Sequence, residues 1–316
     1  MPHRIESPLI KPDPSIPAMS KNAFNCGVVY NPKKQGFKML IRGAYTPKQE
    51  LSDLLYAESS DGYHFEIDPN PVLVHGVNEW AEYTQGGIED PRIVRWNNSY
   101  YIFATARFEK RKVRVGIWKT KNLGNPSSYK WVGIPWDKND KNASIISEPI
   151  DGKVYLIDRL LPHIWISHTK DFSLNSGWRD HRILMRKKEA YPSPLSGVEP
   201  HKIGLAGPPL KNKFGWLTFI HVVHKERNQW NRAYSLSFIL LDPKNPMRVR
   251  YIHPKPILWP ERGWEIYGTV PYVVFSCANC RIDDEIWLYY GGADTVIGLA
   301  KFKEDEILSL LERNCQ

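Results

Sequence analysis

Residues 92–104 read RIVRWNNSYYIFA: Arg92-Ile93-Val94-Arg95-Trp96, then Asn97-Asn98, then Ser99-Tyr100-Tyr101-Ile102-Phe103-Ala104. β-Branched and aromatic residues fill both runs, and asparagines are the residues that tolerate the left-handed backbone of a tight turn. The stretch predicts a β-hairpin. The same layout returns along the chain. Val28-Val29-Tyr30 and Phe37–Arg42 flank Asn31 to Gly36, and Ile145–Ile150 and Lys153–Arg159 flank Asp151-Gly152. Pro208-Pro209-Leu210 and Trp216–His221 flank Lys211 to Gly215, and Tyr272–Phe275 and Glu285–Tyr290 flank a polar stretch ending at Asp284.

Each unit spans roughly 50 to 65 residues and carries three or four strands, a length typical of propeller blades rather than of WD40 repeats. Five such units consume nearly all of the 316 residues. The expected fold class is therefore all-β: a five-bladed β-propeller with a short C-terminal helix starting near Glu304. The expected organisation is a single propeller domain over 22–316, preceded by a proline-rich N-terminal extension over 1–21.

Composition narrows the function classes. A formal charge of +9 permits an anionic partner. The cations are scattered, however, and no helix-turn-helix, zinc-finger or RRM signature accompanies them, so the reading is of no nucleic-acid partner. No run approaches the ~18 apolar residues of a membrane span, and no apolar core follows the first residues, so the expected location is cytoplasmic, without membrane association. Cys277-Ala-Asn-Cys280 has metal-ligand spacing but no second pair or histidines beside it, and reads as a free-thiol pair with no metal. Twelve Trp and sixteen Tyr suit either a β core or sugar-stacking platforms.

Inner strands of a propeller converge on a central channel, so polar residues near each blade's first hairpin become candidates for one site. They are Asn25 with Arg42, Glu89-Asp90 with Arg92, Arg159, Lys211 with His221, and Asp294. Charged groups are rarely buried unpaired, and a mixed set at equivalent positions favours a polar pocket over chance. In an extended strand Asp90 and Arg92 share a face and Glu89 opposes them.

These residues carry a resemblance. GGIEDPRIV at 86–94 is similar to the G-x-E-D-P-R element of glycoside hydrolase family 130, the β-mannoside phosphorylases and related mannosidases. The match runs on in order through NAFNCGVV at 22–29, MLIRGAY at 39–45, DKNASIISEPIDGKVYLIDR at 140–159, KIGLAGPPLKNKFGWLTFIHVV at 202–223, LLDPKNPMRV at 240–249, WEIYGTVPYVVF at 264–275 and YYGGADTVIGLA at 289–300. The resemblance implies a five-bladed propeller and phosphorolysis of a β-1,2- or β-1,4-linked manno-oligosaccharide with inversion, giving α-D-mannose 1-phosphate. It implies Asp90 as general acid, acting through the 3-hydroxyl of the mannosyl unit. It further implies phosphate binding by Arg159, Lys211 and His221, and sugar binding by Asn25, Arg42 and Asp294. Inorganic phosphate would be the co-substrate, with no cofactor and no metal. A homo-oligomer stays open.

Two readings compete. Glu148, where the family pattern has none, would serve as the base for water if the protein were a β-mannosidase. A non-catalytic glycan- or protein-binding propeller is the other. Acceptor choice falls to the segments Arg107 to Arg114 and Lys225 to Arg232, and His64 and His253 read as surface or structural.

Overall fold

The computed structural model describes residues 2–33, 35–46, 51–109, 112–170, 177–226 and 232–314. Five antiparallel sheets follow one another along the chain. Blade 1 runs through Asn22–Asn31, Gly36–Ala44, Ser52–Ser59 and Glu66–Leu73; blade 2 through Ile88–Trp96, Ser99–Glu109, Lys112–Thr120 and Lys130–Gly133. Blade 3 comprises Lys141–Ile145, Val154–Arg159, Ile164–Thr169 and Arg179–Met185. Blade 4 comprises Pro200–Leu205, Gly215–His224, Ala233–Leu241 and Val249–Ile252, and blade 5 Val274–Ile282, Glu285–Gly292 and Val296–Lys303. First strands touch between blades 1 and 2, 2 and 3, 3 and 4, and 5 and 1, in keeping with the convergence the repeat predicted.

Five apolar clusters occupy the five seams between blades. Leu40 and Leu54 of blade 1 pack with Ile93 and Trp118 of blade 2; Phe103 and Ile117 pack with Ile145 and Leu156. Ile157 and Ile166 meet Ile203 and Ile220, Phe219 and Phe238 meet Leu288 and Tyr290, and Tyr289 and Leu299 return to Met39 and Leu55. Each sheet is thus buried on both faces by its neighbours, and hydrophobic burial closes the ring.

The segment expected to be an N-terminal extension belongs to the propeller. His3–Arg4 pairs with Lys301 and Ala300 as the outermost strand of blade 5, and Leu9 N–H donates to Ile297 O at 2.8 Å. Ile10 is buried in the seam between blades 5 and 1. The C-terminal helix, Glu304–Asn314, buries Ile307 and Leu311 against the seam of blades 4 and 5.

Blade 4 corrects the sequence reading. Its first strand is Pro200–Leu205, not Pro208-Pro209-Leu210; Leu210–Asn212 is a short flap on the start of the second strand. The true strand, Pro-His-Lys-Ile-Gly-Leu, is rich in polar residues and glycine, so it lacks the β-branched signature. Cys26, Cys277 and Cys280 are buried free thiols, and burial pushes Cys277 and Cys280 up to about 12. No helix among the described residues is long and apolar enough to cross a membrane.

Candidate active site

A backbone irregularity recurs at the channel end of every blade. The ladder between first and second strands slips between Phe24 and Gly27, Glu89 and Arg92, Lys141 and Ser144, Pro200 and Lys202, and Ser276 and Ala278. In the first three blades the bulged residue is left-handed: Asn25 at φ 46°, Asp90 at φ 54° and Asn142 at φ 58°. Asn and Asp are the non-glycine residues that tolerate this region, and a bulge re-aims the side chains around it. The pocket wall is built by these bulges.

They overturn the alternation expected around Asp90. Glu89 and Asp90 both line one pocket of about 200 Å³, with Asn25, Arg42, Arg107, Lys141, Asn142, Arg159, Lys202, Tyr234, Phe275 and Asp294. Arg92 turns away from the Asp90 carboxylate and donates to the backbone oxygens of Asp90, Leu205 and Ala206 at 3.0, 2.8 and 2.6 Å. It is a brace between blades 2 and 4. A roomier groove of about 700 Å³ lies beside Trp264, but charges on its border are paired, Arg4 with Glu265 and Arg262 with Glu6.

Asp90 Oδ1 accepts from Asn25 Nδ2 at 2.9 Å and from Arg42 Nη1 at 2.8 Å. Arg42 in turn lies over the Phe24 ring and gives Nη2 to Glu89 at 3.1 Å. Arg107 and Lys141 also reach Glu89, at 3.3 and 3.7 Å. Burial pushes the Asp90 carboxyl up, yet Arg42, Lys141, Asn25 and Arg92 outweigh it and hold the group below the usual carboxylate range. Asp294 goes the other way. Burial, aided by Asp90 and opposed by Arg42, lifts it to about 7. One acid is held ionised and the other keeps its proton near neutrality.

Across the pocket the charges are positive. Burial lowers Arg159 to about 10, and burial together with Arg159, Lys141 and Arg232 lowers Lys202 to about 7. His221 is fully buried, with Nε2 3.4 Å from Arg159 Nη1. Burial and then Arg159 push it well below its ordinary value, so it stays neutral and accepts from the guanidinium. A Cβ on Gly204 would lie 2.5 Å from the His221 ring, so only glycine lets the two strands approach here.

Of the sequence-derived set, Asp90, Asn25, Arg42, Asp294 and Arg159 line the pocket, His221 is buried behind Arg159 and does not line it, and Lys211 is left out. Lys211 is on the flap, 59 % exposed, ion-paired with Glu148. The misread first strand of blade 4 is the reason: the cation on the true strand is Lys202. Glu148, the spare base of the hydrolase reading, is the exposed partner of Lys211 and lines no part of the pocket. Sequence reasoning also missed Asn142, whose buried amide oxygen and nitrogen have no protein partner while the residue lines the pocket. Asn142 follows Lys141 as Asp90 follows Glu89, and that parallel between blades was the available signal. Residues 110, 111 and 227–231 of the two segments expected to choose the acceptor lie outside the described residues.

The sequence profile of a family described as beta-1,4-mannooligosaccharide phosphorylase matches residues 5–313. The chain belongs to glycoside hydrolase family 130. Within it, the chain is 38 % identical over 260 residues to a 1,2-beta-oligomannan phosphorylase of Thermoanaerobacter sp. (strain X514), covering 81 % of this chain and 80 % of the relative. It is 36 % identical over 315 residues to a beta-1,2-mannobiose phosphorylase of the same organism, covering 95 % and 96 %. The structure superposes on the beta-1,2-mannobiose phosphorylase from Listeria innocua in complex with beta-1,2-mannobiose with a TM-score of 0.79 at 25 % identity, over 98 % of this chain and 99 % of that one. The superposition over nearly the whole of both chains agrees with the blade count.

Proposed function

We infer that the protein is an inverting β-mannoside phosphorylase acting on β-1,2-linked manno-oligosaccharides. The observation that carries this is the lining wall of one small pocket, where Asp90 sits with the cations Arg159, Lys202 and Lys141, and where the other carboxyls are Glu89, tied up in ion pairs with Arg42, Arg107 and Lys141, and Asp294. A dianionic nucleophile is what such a wall can hold. The β-1,2 linkage is supported by the two Thermoanaerobacter relatives.

In the reaction, a phosphate oxygen bonds to C1 of the mannosyl unit from the face opposite the leaving group. The C1–O bond breaks with its electron pair going to the departing oxygen, and Asp90 supplies the proton that this oxygen takes. The product is α-mannose 1-phosphate. Asn25 and Arg42 hold Asp90, while Asp294 and Asn142 are placed to bind sugar hydroxyls. Asp90 is ionised in the free pocket. Phosphate entering as the monoanion brings the proton that Asp90 takes up and then passes to the departing oxygen, and the dianion left behind offsets the cations that otherwise hold Asp90 low.

Product analysis with β-1,2- and β-1,4-mannobiose, with and without phosphate, tests this. Mannose 1-phosphate should form only with phosphate, from the β-1,2 disaccharide, and Asp90→Asn should reduce kcat by about 10²–10⁴-fold. Free mannose at a rate indifferent to phosphate would overturn the phosphorylase reading.

A further inference from the structure

A second pair of acids, unused by phosphorolysis, adjoins the phosphate wall. Asp140 and Asp158 are 1 % and 0 % exposed. Asp140 precedes Lys141 and Asn142 in the chain and Asp158 precedes Arg159, so each stands next to residues of the pocket. Asp140 Oδ1 accepts the backbone N–H of Arg159 at 3.1 Å, and the two carboxyls meet in a hydrogen bond. His181, from the outer strand of blade 3, sets Nε2 3.0 Å from the Asp158 carboxylate. Its ring is stacked on Trp136, with centroids 4.4 Å apart, and flanked by Trp165 at 5.0 Å.

Drawn as two carboxylates, this arrangement leaves Asp140 Oδ2 buried without a donor among the described residues, while both oxygens of Asp158 crowd a single donor, His181 Nε2, at 3.0 Å. A single proton between the two carboxyls satisfies both. Asp140 Oδ1 then remains an acceptor for Arg159, and Asp158 accepts from Asp140 and from His181 Nε2–H. We propose that Asp140 and Asp158 share one proton and act as positioning residues for the phosphate site, fixing the backbone of Arg159 against the Lys141–Asn142 bulge.

Arg159 needs such support. Among the described residues its Nε has no partner and its Nη1 has only the long contact to His221, so its placement rests on the strand that carries it. The groups facing the pair are His181, Lys138 and the Arg159 guanidinium. Burial raises Asp140 well above its ordinary value and lifts Asp158 to about 7, while burial lowers His181 to about 4. Above about 7 the cluster therefore carries one negative charge over two acids and a neutral imidazole, and below that value the pair takes up a second proton. Its two anionic forms are separated by one proton, as in other carboxyl dyads.

The proposal rests on Arg159 as a phosphate ligand, and the experiment separates the two. Infrared difference spectroscopy at neutral pH between the wild-type protein and Asp140→Asn should show the loss of one protonated-carboxyl C=O band, the contribution of Asp294 being common to both and cancelling. In phosphorolysis of β-1,2-mannobiose, Asp140→Ala should raise KM for phosphate roughly tenfold, with a smaller effect on kcat. Asp140→Asn should recover most of that loss, because its amide can donate to Asp158 and accept from Arg159. Absence of that band from the difference spectrum, or a phosphate KM in Asp140→Asn as poor as in Asp140→Ala, would overturn the shared proton. Arg159→Lys is the control: if it leaves the phosphate KM unmoved while the band is present, the ligand reading fails and the protonation of the pair stands.

Discussion

Lys202 and Lys211 show how much one strand assignment decides. Both are lysines of blade 4, yet Lys202 lines the pocket and Lys211 sits in an exposed ion pair. Removing a charge-assisted hydrogen bond costs about 1.5–3 kcal/mol, so Lys202→Met should raise KM for phosphate by roughly 10- to 100-fold. Lys211→Met should move it by less than about 0.5 kcal/mol, as exposed pairs and surface substitutions do. Steady-state kinetics at varied phosphate reads both. A pH dependence follows from the same residue. Lys202 is charged below about 7 and neutral above, so phosphate affinity falls as pH rises through that value. Bound phosphate stabilises the charged form, and binding takes up protons near neutrality. Calorimetry in buffers of differing ionisation enthalpy should detect this uptake, and Lys202→Met should reduce it.

Bulges are the element on which the site depends. A regular strand would send Glu89 and Asp90 to opposite faces. The slip at Asp90 brings both to the pocket, and the slips at Asn25 and Asn142 do the same work in the flanking blades. The first strand of blade 4 achieves a close approach differently, through Gly204 against His221. Gly204→Ala should push His221 and Arg159 out of place, destabilising the fold by about 1–3 kcal/mol and weakening phosphate binding. Urea unfolding and phosphate titration measure the two effects, and a variant with wild-type values for both would contradict the packing argument.

The ring is closed by chain termini and by seams. The N-terminal strand completes blade 5, and Arg4 from that strand reaches Glu265, which is 0 % exposed, at 2.9 Å. Glu265 also accepts from Tyr290 Oη and from the backbone N–H groups of Glu261 and Arg262. Arg4→Ala leaves that buried carboxylate without its cation and should cost about 3 kcal/mol. An unchanged urea midpoint would mean the strand contributes little to closure.

What was legible in the sequence was local. Hairpins such as Arg92–Ala104 announce themselves because β-branched runs and turn residues act over a few positions, and five repeats of one unit have few ways to bury both faces of each sheet. That Asn25, Arg42, Asp90, Arg159 and Asp294 would share one pocket was readable because they recur near equivalent hairpins and lie in the ordered motifs that resemble family 130. Tertiary structure alone decided the rest. Lys202 and Asn142 belong to the site, and Lys211 and Glu148 do not, because bulges and the pairing of Pro200–Leu205 set which side chains face the channel. Residues 3–10 join blade 5 through backbone hydrogen bonds to strands almost the whole chain away. The pattern of residue types along a chain encodes which segments extend and turn, whereas a one-residue slip in pairing changes the face of a side chain without altering that pattern.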